Sequence, residues 1–302
     1  MKVSTTHLET LVWIARLGSF RAAAERLNLT QPTISMRIRE LEDQVGGPLF
    51  DRRSYRARLT PRAREVLGYA GQILGLAEQM TRQSASLPRL SGPIRLGVAD
   101  TFALTYLPDL LLKIEKEHPE AQIELVVDFS ANLDAALDSG ALDVAVLTAP
   151  TPGPLIHVEK LVDLPLKWFA APQLGIPDRA LTPSDLRSYP IITNPRPSHL
   201  LRTIREWFAQ GRCEPKRLHT CTSLTIMIRL ACAGVGVSLL PAVLLSREIA
   251  AGEVRALRTR PAIPTHTLWM AYRRDMPGLD LRVIYELVQP LVHAGAGKAI
   301  RA

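Results

Sequence analysis

Residues 18–42 read Gly18-Ser-Phe-Arg-Ala-Ala-Ala-Glu-Arg-Leu-Asn-Leu-Thr-Gln-Pro-Thr-Ile-Ser-Met-Arg-Ile-Arg-Glu-Leu-Glu42. The spacing predicts two short helices joined by a tight turn. Phe20, Ala23, Ala24 and Leu27 fall at i, i+3, i+4, i+7 and share one apolar face, as do Leu8, Leu11, Val12 and Ala15 upstream. Ser19 stands where its hydroxyl can accept from a free backbone N–H at the start of the first of the pair. Asn28-Leu29 makes the break, Thr30 is the N-cap candidate of the next helix, and Pro32 falls in its first turn, where a missing N–H costs little. Ile34, Ile38, Leu41 and Val45 then lie within roughly 60° of one another on a 3.6-residue wheel. The opposite face holds Pro32, Thr33, Met36 and Arg39, flanked by Ser35 and Glu40; Gln31 lies nearer the stripe, but at the first turn it can still project beyond the helix end. Small side chains at a helix start suit contact with base edges in the DNA major groove.

Working outward, Gly46-Gly47-Pro48 cannot continue a helix, and Leu49-Phe50 is short and apolar. From Asp51 to Arg64 six arginines (Arg52, Arg53, Arg56, Arg58, Arg62, Arg64) face one acid, which reads as a basic wing. Thr60-Pro61 supplies an N-cap and an N1 proline for a new helix. The net charge of +8 is uneven: residues 1–90 hold 14 Lys+Arg against 8 Asp+Glu, a net of +6, leaving +2 for the rest. That distribution is either an electrostatic DNA footprint or a solvated basic surface.

Taken in order, Gly18-Ser19-Phe20, Ala22-Ala23, Leu27, Thr30-Gln31-Pro32, Ile34-Ser35, Ile38, Leu41-Glu42, Leu49-Phe50-Asp51-Arg52 and Leu59-Thr60 resemble the winged helix-turn-helix of LysR-type transcriptional regulators. The resemblance implies a multidomain chain. An all-α-type winged helix-turn-helix and a long dimerisation helix would precede a two-lobed α/β effector domain of the type II periplasmic-binding-protein kind. It also implies DNA contacts from Ser19, Arg21, Thr30, Gln31, Pro32, Thr33, Ser35, Met36, Arg37 and Arg39, and from Arg52, Arg53 and Arg56 in the wing. One position departs: members often carry a polar or basic residue after the recognition-helix serine, where this chain has Met36. Methionine can touch a thymine methyl and cannot read guanine, so no base preference carries over.

From Thr60 to about Leu87 the pattern is one long helix, with Ala63, Val66, Ala70, Ile73, Ala77 and Met80 spaced by threes and fours and widened by Leu67 and Leu74. A second copy would bury that seam, giving a homodimer through residues 61–87; packing on the chain's own C-terminal domain is the alternative. Pro88 and Ser91-Gly92-Pro93 mark a hinge. The expected domains are therefore residues 1–60, 61–90 and 91–302. The last splits into a first lobe of about 91–162 and 266–302 and a second of about 163–265.

Beyond the hinge, strands at Ile94–Ala99, Ile123–Val127 and Leu142–Leu147 alternate with helices at Leu104–Glu117 and Ala131–Ser139. The alternation resumes from Leu166, and a late strand, Thr267–Tyr272, precedes a final helix near Leu279–Val292. This argues for parallel sheets covered on both faces, with ligands beyond the carboxyl ends of the strands. Those ends carry Asp100-Thr101-Phe102, Phe129-Ser130, Thr148 and Thr193-Asn194, with Ser198 and Thr222-Ser223 at helix starts. Hydroxyls beside free helix N–H groups suit a small anion such as a carboxylate, although Ser, Thr and Asn there are also ordinary caps. Arg196 is either a carboxylate partner or a surface loop residue. Trp13, Trp168, Trp207 and Trp269 read as core, while Phe102 and Phe129 flank the expected cleft.

An enzyme is the main rival, yet the chain has no HExxH, Gly-x-Ser-x-Gly, phosphate-loop or CxxC pattern, and Gly234-Val-Gly236 lacks the third glycine of a dinucleotide fingerprint. A transport-system binding protein would have no use for residues 1–90, and an architectural DNA protein no use for a two-lobed sensor. Cys213, Cys221 and Cys232 show no zinc spacing and read as reduced, partly buried thiols, a redox role being the alternative. The apolar run Ala233–Leu245 is short and contains Pro241, and the first residues lack a signal-peptide core, so a cytoplasmic chain without a membrane partner is expected. No cofactor or metal is expected. The expected partners are double-stranded DNA with an interrupted palindrome, a small effector and a second copy; family resemblance adds a homotetramer, with RNA polymerase a further partner.

Overall fold

The computed structural model describes residues 3–51, 57–82, 90, 92–153, 156–273 and 281–299. Contacts divide the chain into two units, one of residues 1–91, 152–157 and 272–283, the other of 92–151, 158–271 and 284–302.

The first unit opens with α1 (Thr5–Leu17), α2 (Phe20–Arg26), α3 (Gln31–Val45) and α4 (Pro61–Arg82). The helix ends fall where the sequence punctuates them. Ser19 and Thr30 cap α2 and α3 by accepting from the Ala22 and Thr33 N–H groups. Each such cap stabilises its helix by about 1 kcal/mol. Gly18 and Gly46 end α1 and α3 in the left-handed region, φ 62° and 76°, where a side chain would be strained. Leu8, Leu11, Ala23, Ile34, Ile38 and Leu41 then meet in one core.

Two findings refine the sequence reading here. Glu42, on the buried side of α3, accepts from the Leu49 N–H at 2.8 Å and so ties the helix to the wing's first residues. The wing closes through an antiparallel bridge between Phe50 and Leu59. In α4, Ala63, Ala70 and Leu74 join the core containing α1, so part of the expected seam is covered by the chain's own first helix rather than by a second copy. Tyr69 and Ile73 stay exposed. Residues 83–87 of the expected helix lie outside the described residues.

The second unit begins with β1 (Gly92–Val98), α5 (Asp100–Thr105), α6 (Leu107–Glu117), β2 (Ala121–Val127), α7 (Ser130–Asp138), β3 (Val144–Leu147) and β4 (Ile156–Leu164). The single helix expected over Leu104–Glu117 is two. Pro108 sits in the first turn of α6, and its ring would clash with the carbonyl four residues back if the helix were continuous. β5 (Leu166–Ala170), α8 (Pro183–Leu186), β6 (Pro190–Thr193), α9 (His199–Gln210), β7 (Arg217–Thr220), α10 (Leu224–Cys232), β8 (Val237–Pro241), α11 (Ser246–Ala250) and β9 (Arg255–Leu257) follow. β10 (His266–Arg273) and α12 (Arg282–Ala299) complete the chain.

Two five-stranded sheets result, ordered β2-β1-β3-β10-β4 and β7-β6-β8-β5-β9. The late strand β10 returns to the first sheet, so the chain crosses between lobes twice, at Pro165 and between β9 and β10. β1 pairs in parallel with β2 and β3, and β6 with β7 and β8. The second sheet is mixed, not parallel throughout, because β5 runs antiparallel to β8 and β9. β5 enters this sheet directly from β4, the edge strand of the first sheet, after one residue.

Two motifs find structural reasons. Asp143 is fully buried and accepts from the Arg95 backbone N–H at 2.8 Å and from its guanidinium at 2.5 Å, fastening β1 to the turn before β3. At Gly236 an added Cβ would strike the Pro190 carbonyl oxygen, so glycine lets β8 approach β6. The glycine pair is thus a packing feature of the second lobe, whose core centres on Trp168, Phe169, Trp207 and Phe208.

Candidate functional site

The outward face of α3 forms at Pro32, Thr33, Met36 and Arg39 as the wheel predicted, and Gln31, nearer the stripe on the wheel, is exposed at the first turn. Gln31, Pro32, Met36 and Arg39 are exposed, Met36 at 53%, and Thr33 and Ser35 are half-buried beside them. Thr30 and Ser19 are engaged as caps, which leaves them at the two helix starts. Arg21 is exposed and pairs with Glu25 at 3.1 Å, an interaction that solvent screens. Arg37 differs from its sequence assignment. It is half-buried, and its guanidinium lies 3.5 Å from Thr10 Oγ1 on α1. Position 37 falls about 60° from Ile34 and about 40° from Leu41 on a 3.6-residue wheel, so it borders the buried stripe and not the open face. Arg52, Arg53 and Arg56 lie outside the described residues. Sequence reasoning missed the His7–Glu40 contact (2.9 Å), which braces α1 against α3, and Arg26 stacked 4.5 Å over Trp13.

In the second unit a cavity of about 920 Å3 opens between the two lobes. Nine predicted positions line it: Asp100, Thr101, Phe129, Ser130, Thr148, Asn194, Arg196, Ser198 and Thr222. The helices α7, α9 and α10 all begin there. Their first N–H groups have no intrahelical partner and carry the positive end of the helix dipole. Ser130 Oγ accepts from the Thr148 N–H, and the two hydroxyls meet at 3.0 Å. Ser198 caps α9, and the Asn194 amide donates to the Cys221 carbonyl at 2.9 Å. These contacts fix the rotamers of polar groups around the cavity.

Phe102 and Thr193 do not line it. One helical step past Thr101 turns Phe102 into the core, where it is fully buried with its ring 5.7 Å from that of Tyr106. Thr193 is fully buried too, since strand alternation sends it away from the side Asn194 takes. The sequence reading missed Asp128, Asp134, His199, Arg202, Arg205, Glu206 and His266. Helical spacing after the Ser198 cap gave a signal for Arg202 and Arg205; His266 gave none beyond opening β10.

The electrostatics follow from burial. His266 is only 5% exposed, and desolvation, aided by the His199 charge, pushes its pKa down to about 3, so it is neutral at pH 7. Its Nε2 lies 3.5 Å from Thr101 Oγ1, and its ring packs edge-on to His199 at 5.6 Å. His199 is lowered as well, by burial and then by Arg202. Burial raises the Asp100 carboxyl, Asp128 raises it further, and the Leu224 N–H at the start of α10 works against both. Elsewhere in the unit the Cys232 thiol is pushed up by burial and by Glu253, which lowers its thiolate fraction. Among the described residues no group of three or more His, Cys, Asp or Glu is placed to hold a metal, and no helix is long and apolar enough to cross a membrane.

A capped helix pair with an open polar face, joined to a two-lobed α/β unit with a cavity, defines a DNA reader coupled to a ligand-binding domain. The family model for the LysR substrate binding domain matches residues 88–290, and that for the bacterial regulatory helix-turn-helix protein, lysR family, matches residues 5–64. The chain therefore belongs to the LysR family of DNA-binding transcriptional regulators, and it is not an enzyme. The hydrogen peroxide-inducible genes activator of Pectobacterium carotovorum subsp. carotovorum is 30% identical over 285 residues, covering 92% of each chain. The Hca operon transcriptional activator HcaR of Escherichia coli K12 is 27% identical over 286 residues, covering 94% of this chain and 96% of its own. A full-length OxyR variant from Pseudomonas aeruginosa shares the fold with a TM-score of 0.74 at 21% identity, covering 98% of this chain and 97% of its own. ArgP from Mycobacterium tuberculosis does so at 0.70 and 23%, covering 98% of both.

Proposed function

We propose that this regulator reads a specific DNA sequence through the open face of α3, and that a small effector carrying a carboxylate, bound in the inter-lobe cavity, controls it. The observation that carries the reading is the convergence of the α7, α9 and α10 starts with Ser130, Thr148, Ser198 and Arg196 on one cavity. Helix-start N–H groups and hydroxyls are an anion's preferred surroundings; at α10 the Leu224 N–H is taken by Asp100 and at α7 Asp128 accepts from the Phe129 N–H, which leaves the α9 start beside Arg196 as the anion's side. Control needs an effector that binds two states of the chain with different affinity.

In this reading Gln31, Pro32, Thr33, Ser35 and Met36 approach base edges, and Ser19, Arg21, Thr30, Arg39 and the wing arginines 52, 53 and 56 serve the phosphates or the minor groove. Two copies pair through residues 61–87, with the exposed Tyr69 and Ile73 of α4 as the available apolar surface. The edge strand β2 adds a second such surface, since Leu125, Val126 and Val127 are exposed. A dimer, or a tetramer made of two, would then straddle an interrupted palindrome and act on RNA polymerase in the cytoplasm.

Selection from randomised DNA tests the reader. Gln31→Ala and Met36→Ala should change the half-site selected by the full chain. Arg39→Ala should weaken binding on all sequences and reduce the salt slope by about 1. Variants that select the wild-type half-site and bind it equally well would remove α3 from the interface.

A further inference from the structure

The charges around the cavity are sorted by lobe. Asp100, Asp128 and Asp134 line it from the first lobe, at the starts of α5 and α7 and along α7. Arg196, Arg202 and Arg205 line it from the second, on α9 and the loop before it. The second lobe's one acid at the cavity, Glu206, lies 4.0 Å from Arg202 and is offset by it. Here a carboxylate is favoured on one side only, and on the other it would meet two or three like charges.

Asp100 and Asp128 also act on each other across the acidic wall: desolvation raises the half-buried Asp100 carboxyl, the Leu224 N–H lowers it and the Asp128 charge raises it, while Asp128 accepts from the Phe129 N–H and the Asn132 amide through one oxygen. A cation held between them would relieve both of the raising effects. At the cavity, His266 is 5% exposed, and its Nδ1 has no hydrogen-bond partner among the described residues. A buried polar atom left unpaired costs about 1–3 kcal/mol, and a polar ligand group reaching it would recover part of that. The cavity's 920 Å3 is within the range of pockets that enclose a small molecule.

We infer that the effector is a zwitterion of the amino-acid class, with its ammonium facing Asp100 and Asp128 on the first lobe and its carboxylate facing Arg196 and the start of α9 on the second. This rests on the reading that the cavity holds the effector and adds the cationic group to it. Such a ligand pairs with both walls only when it spans them, so it joins the lobes in a way that neither an acid nor an amine alone can.

Calorimetric titration of the full chain tests this with a panel of L-amino acids of increasing side-chain size. Each is compared with its deaminated acid and its decarboxylated amine, for example norvaline against pentanoate and butylamine. At least one amino acid should bind, with its matched acid and amine at least tenfold weaker. Asp100→Asn combined with Asp128→Asn should shrink the gap between amino acid and acid to under threefold. A matched acid that binds as tightly as its amino acid, or acids that bind while no amino acid does, would overturn the inference and leave the cavity reading standing. If neither acids nor amino acids bind, the cavity reading falls with it. Because the panel is run on the wild-type chain, a variant that fails to fold does not protect the inference.

Discussion

Replacing Glu42 with alanine tests how the recognition helix is joined to the wing. Glu42 is buried and accepts from the Leu49 N–H at 2.8 Å, across the Gly46-Gly47-Pro48 turn. Removing the carboxylate leaves that N–H without its acceptor in a protein interior. Losing a hydrogen bond to a charged group costs about 1.5–3 kcal/mol. At about 1.4 kcal/mol per tenfold, a loss near 2 kcal/mol makes local opening about 30-fold more frequent. Amide hydrogen exchange at Leu49, followed on the full chain, reads that opening directly. Glu42→Gln keeps a neutral acceptor and should cost about half as much, a fivefold acceleration. The capped start of α3 is fixed by Thr30 and should be unaffected. If Leu49 exchange in the alanine variant stays within threefold of wild type, Glu42 does not hold the wing.

Two further outcomes follow from the second unit. His266 has a native pKa near 3, against about 6.5 in an unfolded chain, so the unfolded state binds the extra proton between those values. Stability should therefore fall as pH drops from 6.5 toward 3, by up to about 1.4 kcal/mol per pH unit from this group. Chemical denaturation from pH 7 to 5 should show a shallower acid loss for His266→Leu than for wild type, and equal slopes would refute the assignment. Asp143→Ala removes the carboxylate that Arg95 grips from the fully buried end. Breaking such a pair costs about 3 kcal/mol, somewhat less here because Arg95 keeps some solvent contact. A lowered melting temperature for the second unit checks it, and an unchanged one would assign β1 its place without the clamp.

The N-terminal unit was legible because its signals are local. Caps at Ser19 and Thr30, the Gly46-Gly47-Pro48 break and a four-residue apolar stripe each specify one turn or one face without reference to distant chain. Arg37 misled because a long side chain on the border of the stripe can lie along a neighbouring helix, and only the position of Thr10 decides that. The seam of α4 was ambiguous for a related reason. Ala63, Ala70 and Leu74 satisfy helix–helix spacing equally well against a second copy or against α1. In the α/β unit, strand ends and helix starts located Ser130, Thr148, Asn194 and Ser198 at the cavity, because a crevice beyond the carboxyl ends of the strands follows from topology alone. Phe102 and Thr193 failed by one residue, a 100° turn in one case and a strand alternation in the other. His266 and the sorting of aspartates against arginines were not legible, since they depend on which segments, far apart in sequence, face the same space.

What most distinguishes the proposed function is control of the reader by the cavity. It is tested most directly by measuring DNA affinity and melting temperature together on the full chain and on Ser130→Trp, which fills the cavity beside Thr148. A carboxylate or amino acid that raises the wild-type melting temperature should also change wild-type DNA affinity at least threefold, and should do neither in the variant. The ligand-free variant should bind DNA as wild type does. A ligand whose effect on DNA binding survives the tryptophan would place control somewhere other than this cavity.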